Sequence, residues 1–458
     1  MAVPTVRSAP RALVHGLAIA GSSTARALLA RGYEVVTTDD RIDDQKRAAV
    51  AALGLTLVPL PDDVDAFVRT FDLISPAPGV PETHPLIAAA GAAGVELASE
   101  IELAYRWEHV RPGGPRPILA ITGTDGKTTT TELTVAILRA AGLRTEALGN
   151  TDVPLLDALD GDGPHGDLDA FVVECTSFRL AWTERFRADA AVWLNLAPDH
   201  LNWHSSMATY AAAKERIFSL QGPDDVAIGF VDDPVVMAAL GRAPGRRRTF
   251  GLVGADYHLD GTTLTGPSGA IVETSRMRRS LPHDITNALA ASALVLETGL
   301  ADVEAIGRAL AEFDAPPHRL EPVGVAAGVA WFNDSKATTP HAASAAIAAF
   351  DSLVLIAGGS RKGVDLTAMA AGAQRVRAVV AIGEAAPDIH AVFDPHTQVV
   401  DAGSMAEAVS IAAGLARPGD AVVLSPGCAS FDWYSGYPAR GDDFKRLVRA
   451  HLDQEVPT

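Results

Sequence analysis

Hydrophobic and polar positions alternate in one repeating pattern: a short apolar run, a glycine or polar turn, and then apolar residues spaced three or four apart. Apolar runs of this length are typical of buried parallel strands, and the spacing that follows them is typical of helices. Strands are predicted at 12–20, 34–38, near 95, 117–120, 171–174, 190–196, 329–332, 353–357, 378–382 and 421–424, and the segment 72–80 is predicted as a strand that runs into a loop. Helices are predicted at about 24–31, 85–93, 100–108, 132–139 and 207–220. Strands that alternate with helices predict an α/β fold of doubly wound sheets.

Two segments interrupt this alternation and divide the chain. The first, Arg111–Pro117, holds three prolines and two glycines, which cannot continue a helix or a central strand. The second lies near Ala315–Arg319 and contains a Pro-Pro pair. At roughly 150 residues per domain, 458 residues also suggest about three domains. We therefore predict three successive doubly wound domains, at 1–113, 114–316 and 317–458.

The first predicted strand, turn and helix carry an incomplete dinucleotide fingerprint. Gly16-x-Ala18-x-x-Gly21 is followed by a second strand that ends at Asp39. The middle glycine, which allows a pyrophosphate to approach most closely, is replaced by alanine. The pattern leaves two alternatives open, a nucleotide-binding unit and an α/β unit with a tight turn.

A stronger phosphate-binding signal follows the strand at 117–120. The segment 121–130 reads Ile-Thr-Gly-Thr-Asp-Gly-Lys-Thr-Thr-Thr and leads into a predicted helix. Backbone N–H groups and the start of the helix favour an anion, Lys127 can reach the outer phosphates, and the Thr128 hydroxyl can bind Mg²⁺. The Gly-x-x-Gly-Lys-Thr spacing is two residues shorter than that of the general P-loop.

Charge and composition exclude several classes of protein. A net charge of −18 argues against a nucleic-acid partner or an anionic membrane surface. The sequence shows neither an apolar stretch of about 18 residues nor a leader pattern, so we expect no membrane insertion and a cytoplasmic location. Two cysteines, Cys175 and Cys428, fit a reducing compartment.

Lysine is scarce: of 38 basic residues only six are lysines. Lysine can act as a neutral amine, which arginine cannot, so a retained lysine can mark chemistry. Lys46 and Lys445 lie in charged surroundings and are interpreted as ordinary surface residues. Lys214 lies in the predicted helix 207–220 and could be either a surface charge or a functional amine.

Polar residues follow the predicted strands of the central domain. Glu174 ends one strand, and Asp199-His200 follow the next. Parallel sheets place ligands at the carboxyl ends of their strands, and a carboxylate is a suitable Mg²⁺ ligand. Histidine is a less usual magnesium ligand, and His200 could instead be a structural hydrogen bonder.

Together these motifs resemble the Mur ligase family, and the resemblance spans nearly the whole chain. Near the C-terminus, the segment Ser-Pro-Gly-Cys-Ala-Ser-Phe-Asp at 425–432 is similar to the corresponding motif of the family members that add glutamate. The motifs that carry it are Gly123–Thr129, Gly149-Asn150, Glu174–Phe178, Asn195–Leu201, Tyr210–Lys214, His318-Arg319, Asn333–Thr338, Gly358–Lys362 and Ser425–Asp432.

The resemblance implies an ATP-dependent amide ligase whose three domains bind a UDP-substrate, ATP and glutamate in that order. ATP would phosphorylate the carboxylate of UDP-MurNAc-L-Ala, and D-glutamate would displace phosphate from the acyl phosphate. It further implies a monomer with two Mg²⁺ sites, one held by Thr128 or Thr129 with Glu174 and one near His200, and a carbamylated Lys214 as an anionic metal ligand. The implied catalytic residues are Lys127, Asn150, Glu174, His200 and Lys214.

The same resemblance assigns binding residues. Those for ATP are Gly123, Thr124, Asp125, Gly126, Lys127, Thr128, Thr129, Asn287, Arg319, Asp334 and Lys336. Those for the UDP part are Ile19, Ala20, Asp39, Arg41 and Gly79, and those for glutamate are Thr338, Lys362, Ser430, Phe431 and Tyr437.

Five residues depart from the family pattern: Asp125, Thr151, Asp152, Asp284 and Thr339. Added carboxylates near phosphates are unfavourable unless a cation offsets them. These departures leave open a ligase that uses L-glutamate or another amino acid. Further alternatives are a folylpolyglutamate synthase, a catalytically silent UDP-sugar-binding homologue and a nicotinamide oxidoreductase.

Overall fold

The structure is a computed structural model that describes residues 9–159, 163–361 and 365–455. It comprises two compact units. One contains Met1–Ser280 and Asp284–Phe313, and the other contains Leu281–His283 and Asp314–Thr458. Among the described residues, no helix is long and apolar enough to cross a membrane.

The first sheet of the N-terminal unit is parallel, with strand order β3-β2-β1-β4-β5. The order reverses between β1 and β4, which opens a crevice for ligands at the carboxyl ends of these strands. Its elements are β1 (Arg11–His15), α1 (Ile19–Ala30), β2 (Glu34–Thr38), α2 (Asp44–Ala51), β3 (Leu57–Val58), α3 (Val64–Val68), β4 (Leu73–Pro76), α4 (Pro85–Ala93), β5 (Glu96–Leu97) and α5 (Glu100–His109).

One predicted boundary in this sheet was wrong. The strand predicted at 12–20 ends at His15, because Gly16 turns the chain at φ +87°, and the apolar residues after it begin α1. The segment 72–80 was predicted as a strand that runs into a loop, and the strand ends at Pro76. An apolar run alone does not distinguish a buried strand from the start of a buried helix.

The second sheet is also parallel, with order β11-β10-β9-β6-β8-β7, and it is followed by an antiparallel three-stranded sheet, β12-β13-β14, that the sequence pattern did not predict. Register pairs Ile121 with Glu174 and Thr122 with Trp193, so the ends of three strands meet at one edge. The elements are β6 (Ile118–Thr122), α6 (Lys127–Ala140), β7 (Ala147–Gly149), β8 (Phe171–Glu174), α7 (Ser177–Leu180), β9 (Ala190–Trp193), α8 (Met207–Ser219), β10 (Val226–Phe230), α9 (Pro234–Arg242), β11 (Arg246–Phe250), β12 (His258–Asp260), β13 (Thr263–Gly266), β14 (Gly269–Glu273), α10 (Pro282–Glu297) and α11 (Val303–Glu312).

The first two sheets share a hydrophobic core, in which Leu28 and Ile101 belong to the same cluster as Phe171. The segment predicted as a linker is anchored at its end, because the buried Arg116 guanidinium pairs with Glu108 at 2.7 Å. Nearby, the buried Glu102 carboxylate accepts N–H groups of Arg185 and Phe186. These contacts explain why two of the three predicted domains form one compact unit.

The third sheet forms the C-terminal unit and has order β15-β16-β20-β17-β18-β19, with only β15 antiparallel. The predicted fold class, three successive doubly wound α/β sheets, is confirmed. The boundaries at 113/114 and 316/317 stay predictions. The elements are β15 (Glu321–Ala326), β16 (Val329–Asn333), α12 (Pro340–Ala348), β17 (Leu353–Gly358), β18 (Val376–Ile382), α13 (Ala386–Phe393), β19 (Gln398–Ala402), α14 (Met405–Leu415), β20 (Ala421–Gly427) and α15 (Tyr437–Glu455).

Candidate active site

The loop between β6 and α6 has the geometry of an anion cradle. Gly126 has φ +83°, which favours glycine, and a Cβ there would lie 2.9 Å from the Asn287 side-chain oxygen. A Cβ on Gly123 would lie 3.0 Å from that of Leu194. Glycine at both positions therefore keeps the loop close to its neighbours, and α6 begins directly at Lys127.

Asn195, which follows β9, fixes the shape of this loop. Its side-chain oxygen accepts the N–H groups of Thr124 and Asp125, each at 2.9 Å, and its amide donates to the Asp125 carbonyl at 3.2 Å. This residue belongs to the motif after β9, but no separate role was predicted for it. Its contribution was missed because only the folded sheet brings β9 beside β6.

The Lys127 ammonium lies over the loop and donates to the carbonyls of Gly123 at 2.9 Å and Thr124 at 2.8 Å. Thr128 is half-buried and Thr129 is buried at the start of the same helix. The ammonium and the helix N-terminus thus supply local positive charge in a chain of net charge −18.

Lys214 projects from α8 towards the phosphate loop, and it is only 1% exposed. Its Nζ donates to the Gly123 carbonyl at 2.6 Å and lies 4.8 Å from the centre of the Tyr210 ring. Burial, together with the nearby Lys127 charge, holds the pKa of Lys214 well below its usual value. Of the two interpretations left open for Lys214, the surface charge is wrong.

Glu174 ends β8 and offers an oxygen without a partner. Its Oε1 accepts from the Asn150 amide at 2.8 Å, and no donor in the described part of the chain reaches its buried Oε2. A buried carboxylate oxygen without a hydrogen-bond donor is a suitable ligand for a cation. Asn150 is itself oriented by Arg179, which donates to its side-chain oxygen at 2.7 Å.

His200 lies in the loop after β9 and has the rare value φ +57° for a residue other than glycine. Its ring packs 4.6 Å from the Phe178 ring, centre to centre, and its Nε2 lies 3.3 Å from Asp199. Burial is the main cause that lowers the pKa of His200, and the Lys127 charge acts in the same direction, while Asp199 opposes it. The neutral ring that results is the form that binds metals.

A cavity of about 660 Å³ extends from the crevice of the first sheet to this region. It is lined by the five residues assigned to the UDP part, Ile19, Ala20, Asp39, Arg41 and Gly79, and also by Asn150, Thr151 and Arg179. Since Asn150 and Arg179 are bonded to each other and Asn150 to Glu174, the cavity reaches the residues next to the phosphate loop.

Lys46 was wrongly interpreted as an ordinary surface residue. Its ammonium donates to Asp39 at 2.7 Å and to the Arg41 carbonyl at 2.8 Å, and it lines the cavity. Burial opposes ionisation of Asp39, but hydrogen bonds from Lys46 and from the N–H groups of Arg41 and Leu17 hold its pKa below the usual value. Asp39 is therefore a rigid anion in the cavity wall.

Asn287 lies on α10 beside the phosphate loop and accepts from Thr130 at 3.2 Å. One turn earlier, Asp284 departs from the family pattern, and Arg279 offsets its charge through a bond of 2.7 Å. Thr339, another departure, caps α12 by accepting the Ala342 N–H at 3.3 Å.

The remaining assigned residues lie in the C-terminal unit. Asp334 is buried and accepts the Ser425 hydroxyl at 2.8 Å and the Leu320 N–H at 3.1 Å. The Lys336 ammonium lies 3.9 Å from the centre of the Tyr437 ring. Ser430 is buried, Phe431 is exposed, and Arg319 and Thr338 are half-buried. Lys362 lies outside the described residues.

Arg440 joins the two loops of this unit that carry most of these residues. It is 1% exposed and donates to the Ser335 hydroxyl at 2.9 Å, the Ser335 carbonyl at 2.8 Å and the Cys428 carbonyl at 3.1 Å. Burial lowers the pKa of Arg440 to about 10, so the guanidinium stays charged at neutral pH. The sequence did not indicate this residue, because a single arginine in a helix shows nothing of its partners.

Two family models match the chain: the Mur ligase middle domain at residues 121–295 and the Mur ligase glutamate ligase domain at residues 318–428. A UDP-N-acetylmuramoylalanine--D-glutamate ligase from Frankia casuarinae is 42% identical, over 96% of this chain and 93% of its own length. The enzyme of that name from Streptomyces coelicolor is 38% identical, over 98% of this chain and 99% of its own.

Solved structures agree in fold. The MurF ligase of Thermotoga maritima, in complex with ADP, has a TM-score of 0.61 at 14% identity, over 99% of this chain and 97% of its own. The UDP-N-acetylmuramate-alanine ligase MurC of Thermotoga maritima has a TM-score of 0.57 at 18% identity, over 96% of this chain and 99% of its own. Loop, sheet order and relatives together identify the chain as a member of the Mur ligase family.

Proposed function

We propose that this chain is an ATP-dependent ligase that joins D-glutamate to UDP-N-acetylmuramoyl-L-alanine in peptidoglycan precursor synthesis. Relatives with this activity in their names are 36–42% identical over nearly the whole chain. The observation that carries the proposal is the cavity, because it connects the residues assigned to the UDP part with Asn150, next to Glu174 and the phosphate loop.

In the first step, a carboxylate oxygen of the alanyl group attacks the γ-phosphorus of ATP. An O–P bond forms, the bond to the β-phosphate oxygen breaks, and ADP leaves. In the second step, the glutamate amine attacks the carbonyl carbon of the acyl phosphate, a C–N bond forms, inorganic phosphate leaves and the nitrogen loses a proton. Activation is needed because a carboxylate is a poor electrophile.

The first step brings anions together, so the residues around the loop must offset negative charge. Lys127 would turn from the loop carbonyls to the phosphates, and the N–H groups of the loop would bind phosphate oxygens. Bound Mg²⁺ would neutralise phosphate charge, held at one site by Thr128 or Thr129 with Glu174 and at a second site by His200 and Lys214. The unpartnered Oε2 of Glu174 supports the first assignment.

Lys214 would contribute to the second site as a carbamate. Its neutral amine would form a C–N bond with CO₂ and lose a proton, which converts an amine into an anionic oxygen ligand. The lowered pKa of Lys214 supports this, because only the neutral amine is nucleophilic. Arginine cannot perform this reaction.

The remaining assignments follow the family. Asn287, Arg319 and Asp334 would bind the nucleoside of ATP, with Lys336 near its outer phosphate. Thr338, Lys362, Ser430, Phe431 and Tyr437 would bind D-glutamate, whose carboxylates require a cation and hydrogen-bond donors. We expect a cytoplasmic monomer.

The direct test is phosphate release from ATP in the presence of UDP-N-acetylmuramoyl-L-alanine, with D-glutamate, L-glutamate or no amino acid. We expect release that depends on D-glutamate and a product of the expected mass. Release with L-glutamate alone would assign the opposite acceptor. Release with neither would favour a catalytically silent homologue.

A further inference from the structure

Two histidines and an aspartate form a compact cluster at the crevice of the first sheet. His15 ends β1, Asp40 follows β2, and His84 precedes α4, so three different segments meet there. Their ligand-type atoms all lie within 4.8 Å of one another. None of the three residues has a role in the proposed reaction.

The two distances from Asp40 to the histidines match those between ligands of a tetrahedral metal site. Asp40 Oδ1 lies 3.5 Å from the Nε2 of His15 and 3.3 Å from the Nε2 of His84. With bonds of about 2.0–2.1 Å, a tetrahedral Zn²⁺ separates its ligand atoms by about 3.3–3.4 Å. Asp40 Oδ1 is therefore spaced from each of the two ring nitrogens as two ligands of one ion are, and the two ring nitrogens lie within 4.8 Å of each other.

The His15 ring provides an independent indication. Its side chain is fully buried, and among the residues that the structure describes its Nε2 makes no hydrogen bond of normal geometry, with Asp40 Oδ1 at 3.5 Å as its facing atom. Its Nδ1 lies 2.8 Å from the buried Thr38 hydroxyl, which can accept the ring proton and so leave the Nε2 lone pair directed at Asp40. A hydrogen bond from the opposite ring nitrogen is the usual way in which proteins orient a metal-binding histidine.

His84 needs a change of tautomer. Its Nδ1 accepts the Leu86 N–H at 3.2 Å, so the ring proton is on Nε2. Binding through Nε2 would move that proton to Nδ1 by exchange with solvent and break this long hydrogen bond at the start of α4. The protonated Nδ1 would then face the Leu86 N–H as a second donor, so the His84 ring would have to turn away from Leu86 when the ion binds.

We propose that His15, Asp40 and His84 form a Zn²⁺-type site with an open fourth position. Imidazole nitrogens favour such ions over Mg²⁺. His15 and Asp40 also line the cavity that we propose receives a UDP group, so the ion would offset the negative charge of Asp39 and Asp40 there. The binding of the ion itself does not depend on the proposed ligase function.

The chain offers a matched control in His390. That histidine also has two carboxylates nearby, but its Nδ1 faces Asp394 at 3.0 Å and its Nε2 faces Asp401 at 3.1 Å, on opposite sides of the ring. A single ion cannot take both contacts. His390→Gln therefore removes a histidine of similar surroundings without removing a proposed ligand.

The test is equilibrium dialysis of the full chain against Zn²⁺, after chelator treatment and without nucleotide, with Co²⁺ absorption as a second probe. We expect one site in the wild type and in His390→Gln, with the strong visible bands of tetrahedral Co²⁺. Asp40→Asn and His84→Gln should lower the affinity at least 10-fold, since each loses one ligand. Asp40 is 56% exposed, so Asp40→Asn should keep the wild-type melting temperature without metal.

Two results would overturn the proposal. One is wild-type affinity and stoichiometry in Asp40→Asn. The other is the absence of a tight site in the wild type. Because no substrate is present, either result leaves the ligase function untouched, and a failure of ligase activity leaves the metal site untouched.

Discussion

The Nζ atom of Lys214 lies 2.6 Å from the carbonyl oxygen of Gly123, the first glycine of the phosphate loop. Lys214 lies on α8, 91 positions after Gly123, and its hydrogen bond holds the phosphate loop that precedes α6. The same contact brings the Lys214 amine close to Lys127, whose charge helps to keep it neutral. The Lys214 amine therefore both holds the phosphate loop and lies where the Lys127 charge favours its neutral form.

Substitution of Lys214 distinguishes a role for its positive charge from a role as a carbamate-forming amine. Lys214→Ala should lose at least about 100-fold of the rate of phosphate release, and Lys214→Arg should not restore it, because arginine forms no carbamate. Lys445→Arg is the control, since that lysine pairs with Glu321 and Asp442 and arginine keeps the pairing. A wild-type rate in Lys214→Arg would exclude the carbamate.

The lowered pKa of Lys214 also predicts how stability varies with pH. Between the pKa of Lys214 in the folded chain and its pKa in the unfolded chain, the unfolded chain binds a proton that the folded chain does not. In this pH range the free energy of unfolding therefore rises with pH, by up to about 1.4 kcal/mol per pH unit. Lys214→Met should therefore be stabilised most, relative to wild type, at neutral pH and progressively less towards pH 10.

Urea unfolding at pH 7 and pH 9, in bicarbonate-free buffer, measures this difference. The gap between Lys214→Met and wild type should narrow as the pH rises. A gap that stays constant, or widens, would show that Lys214 is protonated in the folded chain.

Glu174→Gln keeps the shape of the side chain and removes its charge. The oxygen that accepts from Asn150 remains, so the fold should be retained, but the side chain that we propose binds Mg²⁺ becomes neutral. We expect the Mg²⁺ concentration for half-maximal rate to rise at least about 10-fold. Glu146→Gln, a partly exposed glutamate paired with His165, is the control. An unchanged Mg²⁺ dependence in Glu174→Gln would remove Glu174 from the metal site.

Much of the fold could be predicted because its strands are continuous apolar runs. The strands at 34–38 and 171–174 and the helix at 85–93 have the predicted bounds. The edge strand β11 was missed, since its sequence, Arg-Arg-Arg-Thr-Phe, is polar and half exposed. Its pairing with β10 makes it a strand, and pairing is not local information.

In the candidate site, too, residues in local sequence motifs could be predicted and residues that act through distant contacts could not. The phosphate loop and Glu174 could be found because motif and strand end coincide in the sequence. Lys46 could not, because its role depends on Asp39, seven residues away across a turn and the start of α2. Asn195 and Arg440 act through backbone atoms of distant loops, which no spacing in the sequence reveals.

Lys46 should affect binding of the UDP-substrate more than turnover. Lys46→Ala leaves Asp39 without its ammonium partner in the cavity wall. Loss of a charged hydrogen bond of about 1.5–3 kcal/mol predicts a KM for the UDP-substrate roughly 10- to 100-fold higher, with kcat less changed. Arg26→Ala, which breaks an exposed ion pair with Asp157, is the control. A fall in kcat at constant KM would place Lys46 in the chemical steps instead.

Arg440 should matter for both the stability and the glutamate affinity of the C-terminal unit. Arg440→Met removes the donors to Ser335 and to the Cys428 carbonyl, which leaves buried acceptors unpaired, and we expect a loss of about 3–5 kcal/mol in the free energy of unfolding. Arg440→Lys keeps the charge but cannot reach both loops from one planar group, so it should fold and show a raised KM for D-glutamate with a nearly unchanged KM for the UDP-substrate. Arg446→Met, at an exposed arginine paired with Asp443, should change neither. Equal rises in both KM values in Arg440→Lys would mean that Arg440 supports the unit as a whole rather than the two loops it joins.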